Sequence, residues 1–367
     1  MIRSLVIAPQ WIGDAVMTEP LLRRLCERGE QITVFAVPWV APIYRAMEHI
    51  AGLQAIVDVP FQHGGLQWQA RRDLAARIQS GDWGKFDRAY VLPNSLKSAL
   101  LPWLAAIPER IGYLGEIRYG LLNKRLANPP RHARGSMVEH YLRLAGSSAA
   151  NNWGRVQVAA CGDSSPDPNW LADRKPKLSI NQTAINPAEL AAQTYTVIAP
   201  GAEYGPAKRW PEAHFAELMA KLDHPAVLLG SAKESALCEA IRDVALRASP
   251  AQTVHNLAGK TSLTDAIHII ANAKSMVSND SGLMHVAAAF GIPQVAIFGS
   301  SDPRHTPPLN TSAKVLWLKE MDGEFKGLDC SPCFRRECPK TGEENMRCLN
   351  AITPTLVTGA LQGSALR

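Results

Sequence analysis

The sequence predicts an α/β protein of two Rossmann-like, parallel-sheet domains facing a cleft. Short apolar strands alternate with amphipathic helical stretches along most of the chain. That rhythm fails over residues 162–193, with Asp, Ser, Pro and Asn dominating Gly162–Asn169 and again Ser179–Pro187, and it resumes at Tyr195. The length, 367 residues, is enough for two domains that each bury a core. Alternating βα units imply parallel strands covered by helices on both faces.

In chain order, Arg3–Ala8, Ile32–Val37, Ala55–Val57 and Arg88–Leu92 read as strands of the first half. Ala15–Arg28, Trp68–Gln79, Ser95–Ala105 and Met137–Ala145 carry helical periodicity between and after them. In the second half, the strands are Tyr195–Ala199, Ala226–Leu229, Val254–Asn256, Ser275–Ser278 and Gln294–Phe298. The helices there are Glu212–Leu222, Lys233–Arg247, Ser262–Ala271 and Gly282–Phe290, the last stopped by Gly291-Ile292-Pro293. The boundaries expected are a first domain over 1–165, a linker over 166–193, a second domain over 194–350 with a Cys-rich tail, and a helix over 351–367.

Composition is that of an ordinary globular protein, 46% hydrophobic and 20% charged. No apolar run approaches the ~18 residues of a membrane span. Ile2–Ala8 is too short for a signal peptide, and Asp14 interrupts any continuation, so a cytoplasmic chain is expected. The formal net charge of +6 is concentrated in one segment, with Arg110, Arg118, Lys124, Arg125, Arg131 and Arg134 beside Tyr113, Tyr119 and His132. Such a patch suits a phosphorylated or carboxylated partner, including an anionic membrane surface, and equally describes a solvated loop. Nucleic acid is not expected, because no binding module accompanies the charge.

The most informative stretch is Val277-Ser278-Asn279-Asp280-Ser281-Gly282-Leu283-Met284-His285. An apolar strand end, a polar Ser/Gly turn and a helix start place unpaired N–H groups and the helix dipole together, which makes an anion site. In an open parallel sheet that turn lies at the carboxyl edge. The alternative is an ordinary βα corner with Asp280 as helix cap. Asp14 occupies the corresponding corner of the first half, after Pro9-Gln10-Trp11-Ile12-Gly13, and reads either as a helix cap or as a carboxylate directed to a ligand. Gly13 permits close approach of the backbone. Lys208, within Pro200-Gly201-Ala202-Glu203-Tyr204-Gly205-Pro206-Ala207-Lys208-Arg209-Trp210-Pro211, is a cation in the loop after the first strand of the second half, with Arg209 as its substitute. Glu234 lies where related folds hold a ribose hydroxyl, and Lys260-Thr261-Ser262 either borders a nucleobase or simply starts a helix. His285 is a ligand or a structural residue of the pocket wall.

The segment Asn279–His285 with Phe298-Gly299-Ser300-Ser301-Asp302-Pro303, the stretch Trp11-Ile12-Gly13-Asp14-Ala15-Val16-Met17-Thr18-Glu19-Pro20, and Lys208-Arg209-Trp210-Pro211 together resemble the ADP-heptose:lipopolysaccharide heptosyltransferases, glycosyltransferase family 9. The matches occur in family order over most of residues 1–305, and the N-terminal wording and cysteine-bearing tail look most like the type II enzymes. The resemblance implies a glycosyltransferase B fold, an acceptor-binding first domain and an ADP-sugar-binding second domain. It implies an inverting transfer of L-glycero-D-manno-heptose from ADP-L-glycero-D-manno-heptose to the first heptose of the lipopolysaccharide inner core. Asp14 matches the catalytic base, Lys208 the leaving-group lysine, and Asp280 a contact to heptose hydroxyls. Ser281, Gly282 and Leu283 match the phosphate site, and His285, Glu234 and Thr261 stay candidate donor contacts on their positions in the fold alone. Gly13, Arg118 and Lys124 fall on the acceptor side, and work at the inner face of the inner membrane, in peripheral contact with its anionic surface, is implied. Related enzymes often carry Thr or Ser where Glu203 and Tyr204 stand here. The rival readings are a type I or III heptosyltransferase, a nucleotide-sugar epimerase of the same fold, and a nucleotide-sugar-binding module without catalysis.

Neither a Gly-x-Gly-x-x-Gly nor a Walker motif is present, which disfavours dehydrogenases and NTPases. No Asp-x-Asp pair is available for a metal–diphosphate, so no cofactor is expected. Of seven cysteines, Cys330, Cys333, Cys338 and Cys348 fall in the tail. They read as a tetrahedral zinc set or, given their irregular spacing, as unmodified thiols in a compact loop. Cys26, Cys161 and Cys238 look like scattered core or surface positions.

Overall fold

The structure is a computed structural model that describes residues 1–62, 64–129, 135–146, 172–180, 190, 194–324 and 326–365. Most of the expected linker, together with Arg131, His132, Arg134 and Cys161, lies outside the described residues. The chain divides into two compact units, Met1–Gly154 with Pro176–Ser179, and Arg155–Lys175 with Ile180–Arg367.

The first unit is built on six parallel strands, β1 (Ile2–Ile7), β2 (Glu30–Ala36), β3 (Leu53–Asp58), β4 (Arg88–Val91), β5 (Glu109–Tyr113) and β6 (Lys124–Leu126). Their order is β3-β2-β1-β4-β5-β6. The central strands are covered on both faces, so they read as unbroken apolar runs: Leu5 and Val6 of β1 and Ile32 and Val34 of β2 are fully buried. β5 and β6 run through the basic segment and were not apparent from its composition, because a short strand carrying Glu109, Arg110, Lys124 and Arg125 has no apolar run to show. The single helix expected over Ala15–Arg28 is two, Ile12–Met17 and Glu19–Glu27, meeting at Thr18. Pro20 is the cause: it has no N–H to continue the ladder, and its ring crowds the carbonyl one turn back. The Thr18 N–H and hydroxyl close the first helix on the carbonyls of Asp14, at 3.1 Å, and Ala15, at 2.7 Å.

The second unit repeats the plan with β7 (Thr196–Ala199), β8 (Ala226–Leu228), β9 (Val254–Asn256), β10 (Ser275–Asn279), β11 (Gln294–Ile297) and β12 (Ala313–Leu316). All are parallel, in the order β12-β11-β10-β7-β8-β9. Alternate residues of β11 serve opposite faces. Val295 and Ile297 join one core with Ile198, Phe215, Met219, Cys238 and Ile241, while Ala296 joins a second with Met284, Phe298, Val315 and Trp317. The helix Pro354–Ala365 lays Val357 and Leu361, one turn apart, into the first of these cores.

Both sheets reverse direction at an equivalent place, between β1 and β4 and between β7 and β10. In open α/β sheets, the carboxyl edge at such a reversal leaves a crevice between loops that diverge to opposite faces. Asp14 follows β1, Lys208 follows β7 and Asp280 follows β10. All three therefore stand at a reversal point.

Candidate active site

In the second unit, β7 and β10 are hydrogen-bonded neighbours, with Ala199 opposite Ser278. Their following loops consequently start side by side. The first, Pro200–Trp210, is irregular apart from a 3-10 turn at Pro206–Lys208. It is held at both ends by Asn279, the fully buried last residue of β10, whose Nδ2 donates to the Pro200 carbonyl at 2.7 Å and whose Oδ1 accepts from the Trp210 N–H at 2.9 Å. Trp210, itself buried, anchors the far end by donating Nε1–H to the Ile352 carbonyl at 2.8 Å. The sequence motif contains Asn279, but nothing in its wording reveals that one amide staples two loop ends.

This arrangement brings Lys208 and Asp280 together, Nζ to Oδ2 at 2.5 Å, with Thr306 Oγ1 3.4 Å from the other carboxylate oxygen. Only one of the three ammonium hydrogens is needed for Asp280, so Lys208 keeps donors for an anion. Next to them, Ser281 is the N-cap position of the helix Gly282–Phe290 in extended conformation, and its side chain makes no cap hydrogen bond. Asp280 precedes that position, so it is not the helix cap. The buried hydroxyl oxygens of Ser281, Ser300 and Ser301 have no hydrogen-bond partner among the described residues. A helix N-terminus, a fixed cation and unpaired buried hydroxyls are the components of a site for a phosphorylated ligand.

His285 is buried one turn into the helix, and burial pushes its ring down to about 4; the Asp280 charge opposes this and Lys208 reinforces it. It is neutral at neutral pH and supplies no positive charge to an anion. Glu234 completes a capping box: its Oε2 accepts from the Ser231 N–H at 2.7 Å and hydroxyl at 2.9 Å. Its other oxygen lies so close to Gly201 that a Cβ there would sit 1.8 Å away, so any side chain at Gly201 would displace the Glu234 carboxylate. Thr261 stands beyond β9, the edge strand, and Ser262 beside it caps the helix Leu263–Ala271 in a capping box with Asp265.

In the first unit, Asp14 is the third residue of the helix Ile12–Met17, and Trp11 holds the N-cap position. The cap reading of Asp14 is therefore wrong. Instead its Oδ1 accepts from the Tyr141 hydroxyl at 3.0 Å. Tyr141 is buried on the helix Met137–Leu142, and its phenol is held well above its ordinary range by burial and by the Asp14 charge. It stays a donor, fixing one carboxylate oxygen. Gly13 is buried beside Asp14. Tyr141 was missed by sequence reasoning, because it lies 127 residues from Asp14 and only its helical spacing is visible locally.

Two members of the expected basic patch are not exposed charges. Arg118 is fully buried, donating Nη1–H to the Pro93 carbonyl at 2.6 Å and Nη2–H to Asn94 Oδ1 at 3.1 Å and to the Tyr113 carbonyl. Burial lowers its guanidinium to about 10. Arg110 spends its donors on the carbonyls of Leu121 and Ile107, at 2.7 and 2.6 Å. Lys124 and Arg125 are exposed as expected. At the carboxyl edge of the same sheet, a pocket is lined by Gln10, Phe61, Arg71, Lys97 and Ser98 among others. Arg71 lies 4.1 Å over the Phe61 ring.

The tail cysteines are free thiols, with Cys330 exposed. Among the described residues, no group of three or more His, Cys, Asp or Glu is arranged to hold a metal ion. Burial, with the neighbouring Cys330, Cys333 and Cys338, pushes the Cys348 thiol up to about 12.

The sequence profile of glycosyltransferase family 9 (heptosyltransferase) matches residues 75–342. The chain is 39% identical to lipopolysaccharide heptosyltransferase 2 of Escherichia coli K12 over 86% of its own length and 88% of the relative's. It is 36% identical to lipooligosaccharide heptosyltransferase 2 of Haemophilus influenzae with the same coverage of each. A solved structure of E. coli ADP-heptose LPS heptosyltransferase II superposes with a TM-score of 0.74 at 33% identity, covering 100% of this chain and 99% of that one. With twin six-stranded sheets of glycosyltransferase B type and a profile match across most of its length, the chain belongs to glycosyltransferase family 9, the heptosyltransferases.

Proposed function

We propose that the protein is an inverting heptosyltransferase of type II, transferring L-glycero-D-manno-heptose from its ADP donor to the first heptose of the lipopolysaccharide inner core. Relatives of that name at 34–39% identity over most of the chain support the reaction. The observation that carries the donor assignment is Lys208 held 2.5 Å from Asp280 beside the helix N-terminus at Ser281.

The diphosphate lies on the N–H groups of Ser281, Gly282 and Leu283 and meets the Lys208 ammonium, while Asp280, a poor neighbour for phosphate, accepts from heptose hydroxyls. Glu234 and Thr261 border the nucleoside. Asp14 takes the proton of the acceptor hydroxyl as that oxygen attacks the anomeric carbon. The bond from that carbon to the diphosphate oxygen breaks, and ADP departs with its added negative charge facing Lys208. The Tyr141 hydroxyl, bonded to Asp14 Oδ1, holds the carboxylate in place. Charge neutralisation by Lys208 and the helix N-terminus requires no metal, so EDTA is expected to leave activity intact. The acceptor binds at the first unit, where Gly13 lines the approach to Asp14 and the exposed Lys124 meets acceptor phosphates or carboxylates. The enzyme works on the cytoplasmic face of the inner membrane, in peripheral contact with anionic lipid; no helix among the described residues is long and apolar enough to cross it.

Calorimetric titration of ADP into wild type and Lys208→Ala tests the donor site. Loss of a charge-assisted contact is expected to weaken ADP binding about 10- to 100-fold. Affinity preserved within about twofold would remove Lys208 from the diphosphate.

A further inference from the structure

Lys208 stands on a loop with little regular structure, at the end of a flexible four-carbon stem. Holding its ammonium where charge develops requires the loop itself to be fixed, since each unfixed rotor costs ordering entropy on binding. Asn279 fixes the loop's two ends. Its middle is fixed by a segment that family motifs do not mention, the strap Ser331–Arg336 of the cysteine-rich tail.

The strap touches the Lys208 loop in consecutive places. The Arg336 carbonyl accepts from the Ala207 N–H at 3.0 Å, immediately before Lys208, and Arg336 Nε donates to the Tyr204 carbonyl at 2.7 Å. The Tyr204 hydroxyl donates to the Phe334 carbonyl at 2.8 Å. The Tyr204 ring has the Arg336 guanidinium 5.6 Å and the Lys208 ammonium 5.3 Å from its centre. Gly205, with φ of 155°, leaves room for this contact: a Cβ there would lie 2.5 Å from the Arg336 carbonyl oxygen. The strap is equally tied to the other wall of the site. The Phe334 N–H donates to the Ser300 carbonyl at 2.7 Å, and Phe334 itself sits in the left-handed region with φ of 54°. The Ser331 hydroxyl donates to the Gly299 carbonyl at 2.6 Å and accepts from Trp317 Nε1–H at 2.9 Å. One short segment thus couples the lysine loop to the serine loop that carries Ser300 and Ser301.

We propose that Arg336 is a positioning residue for donor binding: its side chain, through the Nε–H bond to the Tyr204 carbonyl and its place over the Tyr204 ring, holds the Lys208 ammonium in register with the helix N-terminus. The backbone bond to Ala207 would persist in Arg336→Ala. This rests on the reading of Lys208 as the cation that meets the diphosphate. The test is a double-mutant cycle read by ADP titration, with Arg336→Ala, Lys208→Ala and the combined variant, and kcat and donor KM measured alongside. Arg336→Ala is expected to raise the ADP Kd about fivefold in wild type, a coupling of ordinary size for a residue that acts through another. In the Lys208→Ala background, the same change should cost less than about 1.5-fold, because its target is gone. Acceptor KM should not move. Tyr204→Phe, which removes only the bond to the Phe334 carbonyl, should shift ADP affinity in the same direction by a smaller factor, and it keeps the test open should Arg336→Ala misfold. An equal loss in both backgrounds, or no loss in wild type, overturns the positioning role while leaving the donor site standing if Lys208→Ala weakens ADP. Unchanged ADP affinity in Lys208→Ala alone overturns both.

Discussion

At the scale of single residues, chemistry is decided by what each side chain is paired with. Asp14 is not a helix cap, and its carboxylate accepts a hydrogen bond from the Tyr141 hydroxyl at 3.0 Å. Asp14→Asn preserves size and an acceptor for Tyr141, so folding and ADP affinity should be near normal. Loss of the base should lower kcat about 10²- to 10⁴-fold. A kcat within about threefold of wild type would assign the base elsewhere. Arg118 and Lys124 make an instructive pair. Arg118 is enclosed by the carbonyls of Pro93 and Tyr113, so Arg118→Ala should destabilise the fold by on the order of 3 kcal/mol, by leaving buried acceptors unpaired, without altering acceptor KM in the folded fraction. Lys124→Glu should instead raise acceptor KM and weaken its salt dependence, since exposed charges are screened within about 8 Å at physiological salt. Thermal melts and acceptor kinetics at two ionic strengths separate the two residues. A count of arginines along a segment does not distinguish them, because burial depends on a loop, Pro93-Asn94, that is distant in sequence. The same limit hid Tyr141 from Asp14 and Arg336 from Tyr204, pairs 127 and 132 residues apart.

At the scale of elements, the helix Gly282–Phe290 combines a polar N-terminus with a buried histidine. The His285 ring sits at about 4 in the folded protein, below its ordinary value near 6.5. Between those values the unfolded chain binds a proton that the folded chain refuses, so stability is full above about pH 6.5 and falls as the pH drops toward 4. The displacement is worth at most roughly 3 kcal/mol. Urea unfolding of wild type and His285→Gln from pH 7 to pH 4.5 should show a shallower decline in the variant, and parallel declines would assign the loss to other groups. Elements such as this one were legible in sequence, because buried parallel strands read as apolar runs and the polar turn between strand and helix stands out. The break at Pro20 followed a rule that local periodicity alone overrode. The strands β5, β6 and β12 were not legible: β5 and β6 carry Glu109, Arg110, Lys124 and Arg125 and so show no apolar run, and β12 follows an irregular segment that gave no helical rhythm before it.

At the scale of the whole molecule, two units of identical strand order each carry a candidate site residue just beyond a strand at the reversal of the strand order, Asp14 in the first and Lys208 and Asp280 in the second. That repetition explains why motifs far apart in the chain fall at equivalent places in each unit: the parallel sheet places successive carboxyl ends on one edge. The choice of acceptor is where fold and family leave the widest freedom, and it is also the central claim. The direct test supplies purified protein with ADP-heptose and either a heptose-free or a mono-heptosylated lipopolysaccharide core, followed by mass measurement of the core and assay of released ADP. A type II enzyme adds one heptose to the mono-heptosylated core, leaves the heptose-free core unchanged and releases ADP only when the former is present. Heptose added to the heptose-free core, or ADP released without any acceptor, would contradict it.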